Sequence, residues 1–191
     1  MADRKKITLP RLFQKVANHE PITMLTCYDY PTAYFQEEAG IDMILVGDSL
    51  AMTMLGYDST LPATMDDMIR HTQAVRRGAP TAWLVGDMPY MSYQPSVETA
   101  IRNAGRFMAE AGTDCIKLEG GAEMADRIKG IVAAGISAFP MAGRLVQKVA
   151  HEEDFSNFVL MHAMGANTAG QLGSVIAGGI LLTLVIPLVG G

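Results

Sequence analysis

Short apolar runs that stop at a carboxylate occur three times along the chain, and stretches with helical spacing fill the intervals. Met43 to Val46 runs into Gly47, Asp48 and Ser49; Ala82 to Val85 runs into Gly86, Asp87, Met88 and Pro89; Cys115 to Leu118 passes through Lys117 into Glu119, Gly120 and Gly121. A strand that is apolar along its length and polar at its C-terminal end is how an α/β protein presents chemistry from a buried sheet.

The intervals carry helix punctuation. Residues 7–19 place Leu9, Leu12, Phe13 and Val16 on one helical face before Pro21, and Ile22 to Cys27 is a first strand. Pro31 opens a helix that Gly40 closes. Ala51 to Ala63 reads as a long loop, and Thr64 with Asp67 three residues on forms a capping box for a helix through Met68, His71 and Val75 to Gly78. Ser96 caps a helix bearing Ile101, Gly105 and Met108 and ending at Gly112; Met124, Ile128 and Ile131 mark another, closed by Gly135; Ile136 to Phe139 is a fifth strand. Four βα units and a further strand predict a parallel sheet with right-handed crossovers. No G-x-G-x-x-G follows the first strand, which argues against a dinucleotide fold. Three successive strands with polar C-terminal ends favour the N-terminal half of a TIM (β/α)8 barrel, whose complete form takes about 250 residues.

Composition divides the 191 residues in two. Overall, 49% are hydrophobic, and the net charge of −5 argues against a nucleic-acid binder, with no basic run long enough to contradict it. Cys27 and Cys115 lie in strand-like runs and read as buried free thiols. The polar, basic N-terminus is not a secretory signal. From Phe155 onward there is no Asp, Glu, Lys or Arg, and His162 is the sole titratable side chain. Within this apolar helical tail, residues 172–189 approach the roughly 20 residues of a membrane span.

Lys117 and Glu119 stand two apart on one strand and point to the same side, with Ile116 and Leu118 on the other. Asp48, Asp87 and Glu119 together make a hard, oxygen-rich site suited to Mg²⁺, and no His or Cys cluster with transition-metal spacing competes. A Mg²⁺ facing a lysine suits a 2-oxo acid: the metal takes keto and carboxylate oxygens, Lys117 pairs with the carboxylate, and an enolate is stabilised. Taken singly, each acid reads more readily as a helix cap or turn residue than as a ligand, and Lys117 with Glu119 as a plain ion pair. The recurrence of all three acids at equivalent strand ends carries the site.

The segments TMLTCYDYPTA (Thr23 to Ala33), DMILVGDSLAM (Asp42 to Met52), GYDSTLPATMDDM (Gly56 to Met68), RRGAP (Arg76 to Pro80), DMPYMSYQ (Asp87 to Gln94), RNAGR (Arg102 to Arg106) and IKLEGG (Ile116 to Gly121) closely resemble the ketopantoate hydroxymethyltransferase family over about residues 5–136. The resemblance implies a cytoplasmic, homo-oligomeric (β/α)8 barrel of pantothenate biosynthesis. Such an enzyme moves a hydroxymethyl group from 5,10-methylenetetrahydrofolate to 3-methyl-2-oxobutanoate. It implies Asp48, Asp87 and Glu119 as Mg²⁺ ligands and Asp48, Ser49, Asp87 and Lys117 as contacts to the oxo acid. Ala51 departs from the family's usual glycine.

After Gly135 the resemblance changes. The family's glycine-histidine segment and the glutamate that serves as its general base have no counterpart, so no catalytic base is assigned and weak or absent activity is expected. Residues 136–191 instead resemble the C-terminal end of the membrane β subunit of sodium-pumping decarboxylases, where Arg144 and Asn167 match positions implicated in sodium coupling. Arg144 and Asn167 are read as vestiges, and His162 as a helix-face residue. The expected organisation is a partial barrel over 1–136 and an apolar helical segment over 137–191, a chimera joined near Val132 to Ser137. Two other readings stay open: a membrane-associated fragment held through residues 172–189, and a non-catalytic Mg²⁺ and 2-oxo acid binder.

Overall fold

The computed structural model describes residues 4–140. The chain divides into two compact units, Met1–Glu119 with Glu123–Phe139, and Gly120–Ala122 with Pro140–Gly191. The sheet and its covering helices belong to the first, apart from Pro140 at the last strand's end. From residue 141 on, the expected apolar segment lies outside the described residues, and with it Arg144, His162, Asn167 and the 172–189 run.

The elements are α1 (Leu9–Ala17), β1 (Met24–Thr26), α2 (Tyr30–Glu38), β2 (Met43–Val46), α3 (Leu50–Thr53), α4 (Met65–Gly78), β3 (Trp83–Asp87), α5 (Val97–Ala111), β4 (Cys115–Leu118), α6 (Ala125–Ala133) and β5 (Ala138–Pro140). The strands form one sheet in the order β1-β2-β3-β4-β5. β1 to β4 pair in parallel, with Thr26 beside Leu45, Leu45 beside Val85 and Val85 beside Cys115. Strand order follows chain order without reversal. A doubly wound sheet reverses at a switch point; a barrel wall does not.

Local chemistry sets most boundaries. The Asp29 carboxylate accepts the Thr32 amide at the start of α2 (2.8 Å). Thr64 and Asp67 form the reciprocal capping box of α4, and Ser96 Oγ accepts the Thr99 amide at the start of α5 (3.1 Å). Gly112 closes α5 at φ +66°, a left-handed conformation that favours glycine. β1 is shorter than the expected Ile22 to Cys27 and β5 starts two residues later than the expected Ile136, and two further boundaries differ from the sequence pattern. The loop expected over 51–63 begins inside the short helix α3. β3 runs through Gly86 to Asp87, so its acid is part of the strand.

Alternation along the strands builds two layers. Ile44, Val46, Leu84, Ile116 and Leu118 are buried, and the side of the sheet to which Gly86 and Ile116 belong carries the helices. A Cβ on Gly86 would lie 2.4 Å from the Phe107 ring of α5, so only glycine admits that close approach. Phe107, Met68 and Val75 complete this layer, each fully buried and each stabilising by roughly 1.5–3 kcal/mol on transfer from water. The helix α1 behaves differently. Only Leu12 of its apolar face is buried, while Phe13 and Val16 remain 65% and 59% exposed. It is held instead by a polar latch: Lys15 Nζ reaches Asp42 Oδ2 at 2.7 Å, and the same oxygen accepts the Thr23 amide and hydroxyl at 2.9 and 3.0 Å. Burial opposes ionisation of Asp42, yet Lys15 and Thr23 outweigh it and hold the carboxyl below its usual range.

Candidate active site

Asp87 ends β3, and its register partner on β4 is Lys117. In-register neighbours of a parallel pair point to the same face, here the face opposite Gly86 and Phe107. Lys117 Nζ donates to Asp87 Oδ2 at 2.6 Å, with both side chains buried. The same ammonium reaches Glu119 Oε1 at 2.9 Å; Glu119 is 56% exposed, so the cluster runs from the interior to the surface. Asp48, one residue beyond Gly47 at the end of β2, enters through its backbone: its N–H donates to Asp87 Oδ2 at 3.0 Å. The three acid-bearing strand ends and the lysine therefore meet.

Ser49 is held beside them by a 2.8 Å hydrogen bond with the Tyr28 hydroxyl. Tyr28 is anchored in turn through its carbonyl oxygen, 2.6 Å from His71 Nδ1 of α4. On the other flank, the Glu119 N–H donates to the Tyr93 hydroxyl at 3.0 Å. Sequence pattern singles out neither tyrosine as part of the site. Each reaches it through a tertiary contact; the local signal is only that Tyr28 lies two residues past β1, where a polar strand end belongs.

The electrostatics are those of a buried acid held by a cation. Burial pushes the Asp87 carboxyl up to about 7; the Lys117 ammonium pulls against this, and the Asp48 charge adds to it. For Lys117 burial acts the other way, but the Asp87 and Glu119 carboxylates outweigh it and hold the ammonium above its ordinary value. Burial also raises the Tyr93 hydroxyl, which stays protonated at neutral pH. A protonation equilibrium near neutrality beside a fixed cation suits binding and polarising an anionic substrate.

Among the described residues, no three His, Cys, Asp or Glu side chains are gathered as a metal-holding group. Asp87 and Glu119 are bridged by an ammonium, and Asp48 meets Asp87 by its amide. The donor chemistry nonetheless fits a hard divalent ion, since every candidate ligand is a carboxylate oxygen. The charge of Asp48, which disfavours ionisation of Asp87, is what such an ion would offset. Also among the described residues, no helix is long and apolar enough to cross a membrane.

The sequence model of ketopantoate hydroxymethyltransferase matches residues 6–161, past the residue near 136 where the resemblance was expected to change. A 3-methyl-2-oxobutanoate hydroxymethyltransferase of Alkaliphilus metalliredigens (strain QYMF) is 55% identical over 142 residues, 74% of this chain and 49% of that protein. The enzyme of the same description from Moorella thermoacetica is 44% identical over 180 residues, 94% of this chain and 67% of that protein. The chain thus spans about half to two thirds of the length of these relatives. Among solved structures, 2,3-dimethylmalate lyase, a PEP mutase/isocitrate lyase superfamily member, superposes with a TM-score of 0.53 at 17% identity. That match covers 69% of this chain and 51% of that one, and it speaks to the fold alone.

Proposed function

The chain belongs to the ketopantoate hydroxymethyltransferase family, and on that premise we propose that it serves the transfer of a hydroxymethyl group from 5,10-methylenetetrahydrofolate to 3-methyl-2-oxobutanoate. The observation that carries this reading is the Asp87–Lys117–Glu119 cluster at adjacent strand ends, closed by the Asp48 amide. A 2-oxo acid brings a carboxylate and a keto oxygen, and both need positive charge or hydrogen-bond donors in a site shielded from water. Lys117 supplies a buried ammonium for the carboxylate. Ser49, oriented by Tyr28, supplies a hydroxyl donor beside it.

Asp48, Asp87 and Glu119 are the residues that would hold Mg²⁺. When bound, such an ion supplies Lewis acidity that polarises a keto group and favours its enolate. The buried Asp87 keeps its carboxylate available to the cation rather than to solvent, and Lys117 balances the acids when the substrate is absent. None of residues 4–140 is assigned as the general base, so binding and turnover are separate questions. The same proposal covers the remaining expectations: a cytoplasmic homo-oligomer, with the partial barrel of 1–136 followed by an apolar segment over 137–191.

Calorimetric titration tests the reading. The oxo acid should bind in the presence of Mg²⁺ and lose at least about tenfold in affinity when the metal is chelated. Asp87→Asn should abolish metal and oxo-acid binding together. Binding indifferent to Mg²⁺, or unchanged in a folded Asp87→Asn protein, refutes it. A parallel folate-dependent assay for ketopantoate separates binding from turnover.

A further inference from the structure

A cavity lies at the other end of the sheet. Its volume is about 540 Å³, and Arg4, Lys5, Lys6, Arg11 and Lys15 line it together with Thr8 and Asp42. Asp42 immediately precedes β2, whereas Asp48 follows it. In a parallel sheet this assigns the cavity to the N-terminal edge of the strands, a full strand length from the candidate active site. The size is that of a small-molecule site, which runs to roughly 300–1,000 Å³.

The charge there runs against the chain as a whole. Residues 4–15 carry five Lys and Arg and no acid, in a protein whose net charge is −5. Several of these cations are fixed in place. Lys15 lies on Asp42 (2.7 Å), Lys6 on Asp114 (2.5 Å), and the Arg4 guanidinium on the Ile41 carbonyl (2.7 Å) with Glu37 at 3.8 Å. Arg76 shares Asp114 at 2.6 Å. Counting every ionised group in this network, six cations meet three carboxylates, so a positive excess is built in. A second, independent feature points the same way. The N-cap Thr8 of α1 makes no side-chain capping bond and the first turn holds no acid. Pro10 has no N–H to offer, which leaves the Leu9 and Arg11 amides of that turn without a capping side chain, as at helix N-termini that take anions.

We propose that this cavity binds a phosphate-bearing small anion. Guanidinium and ammonium donors with helix amides match the multiple acceptor oxygens of a phosphoryl group. The cavity exceeds one phosphate in size, so the ligand class is a pyrophosphate or a phosphorylated organic molecule. Its position makes it a site additional to the candidate active site.

The test uses the full chain and inorganic pyrophosphate as probe, in metal-free buffer at low ionic strength, with calorimetric readout. Saturable 1:1 binding is expected, weaker in added salt. The double substitution Lys5→Gln/Arg11→Gln touches exposed side chains and should weaken binding at least about tenfold, with circular dichroism showing the fold intact. Lys129→Gln, which removes an exposed cation outside the cavity, should bind as the unsubstituted protein does. Inorganic phosphate should bind more weakly than pyrophosphate. The proposal is overturned by no saturable binding, by equal affinity in the Lys5→Gln/Arg11→Gln protein, by an equal loss of affinity in Lys129→Gln, or by citrate binding as tightly as pyrophosphate.

Discussion

Replacing Lys117 by Met removes the cation from the centre of the acid cluster while keeping most of its packing volume. Asp87 then retains only the Asp48 amide on Oδ2, inside a protein where its side chain is 2% exposed. Breaking a buried pair by deleting one partner costs about 3–5 kcal/mol, because the remaining charge is uncompensated. The cost must depend on pH. The Asp87 carboxyl already titrates near 7 with Lys117 present, and without the ammonium it rises further. A carboxyl whose folded pKa exceeds its unfolded value penalises folding above the folded pKa. The penalty fades as pH falls and is gone below the unfolded value of about 3.9. The deficit of Lys117→Met should therefore be about 2–2.5 kcal/mol at pH 8: protonating Asp87 one unit above its value of about 7 caps the cost of the uncompensated charge at about 1.4 kcal/mol, and the lost hydrogen bonds add roughly 1 kcal/mol, to which the deficit shrinks by pH 5. Urea unfolding followed by the fluorescence of Trp83, the single tryptophan, reads both values in metal-free buffer. Adding Asp87→Asn to Lys117→Met should recover most of the loss at pH 8. A deficit under about 1 kcal/mol at pH 8, or one equal at pH 5 and pH 8, would show that the pair is not the buried, coupled unit described here.

Three further outcomes follow from the packing. Gly86→Ala places a methyl 2.4 Å from the Phe107 ring and 3.0 Å from Thr113, so unfolding free energy should drop by about 1–3 kcal/mol in urea titrations. Thr64→Ala removes half of the capping box of α4 and should cost about 1 kcal/mol, seen as a lower urea midpoint at unchanged slope. Tyr28→Phe deletes the hydroxyl that holds Ser49; it should cost about 0.5–1.5 kcal/mol in stability and weaken Mg²⁺-dependent oxo-acid binding by calorimetry.

What the sequence made legible was the chemistry that acts over a few residues. The Thr64–Asp67 box, the Ser96 cap and the left-handed Gly112 lie within a turn of the elements they bound, and each falls where the pattern places it. The strand pair Lys117 and Glu119 projects to one side as a period of two requires, and Ile116 and Leu118 bury on the other. Parallel α/β architecture followed from the order of elements. Contacts between distant segments were not legible. Tyr28 and Tyr93 join the site across 21 and 26 residues of chain. The apolar face of α1 predicted burial, but only Leu12 is covered, and the Lys15–Asp42 contact that holds the helix joins residues 27 apart in the chain. Spacing placed three acids at equivalent strand ends. It did not reveal that an ammonium bridges two of them, or that Asp48 contributes its amide to Asp87.

Sheets buried on both faces have a difficulty that the Asp87–Lys117 pairing resolves. Their strands are apolar on both sides, so sliding one past its neighbour by a residue exchanges one greasy contact for another, and little opposes the error. β3 and β4 end in two charges that are direct partners in only one alignment. A shift by a single position would aim either the acid or the base into the helix layer, unmatched in an oily interior. The buried pair thus penalises misaligned strands as well as holding charge at the strand ends, and replacing both residues by apolar ones should broaden the set of folded products.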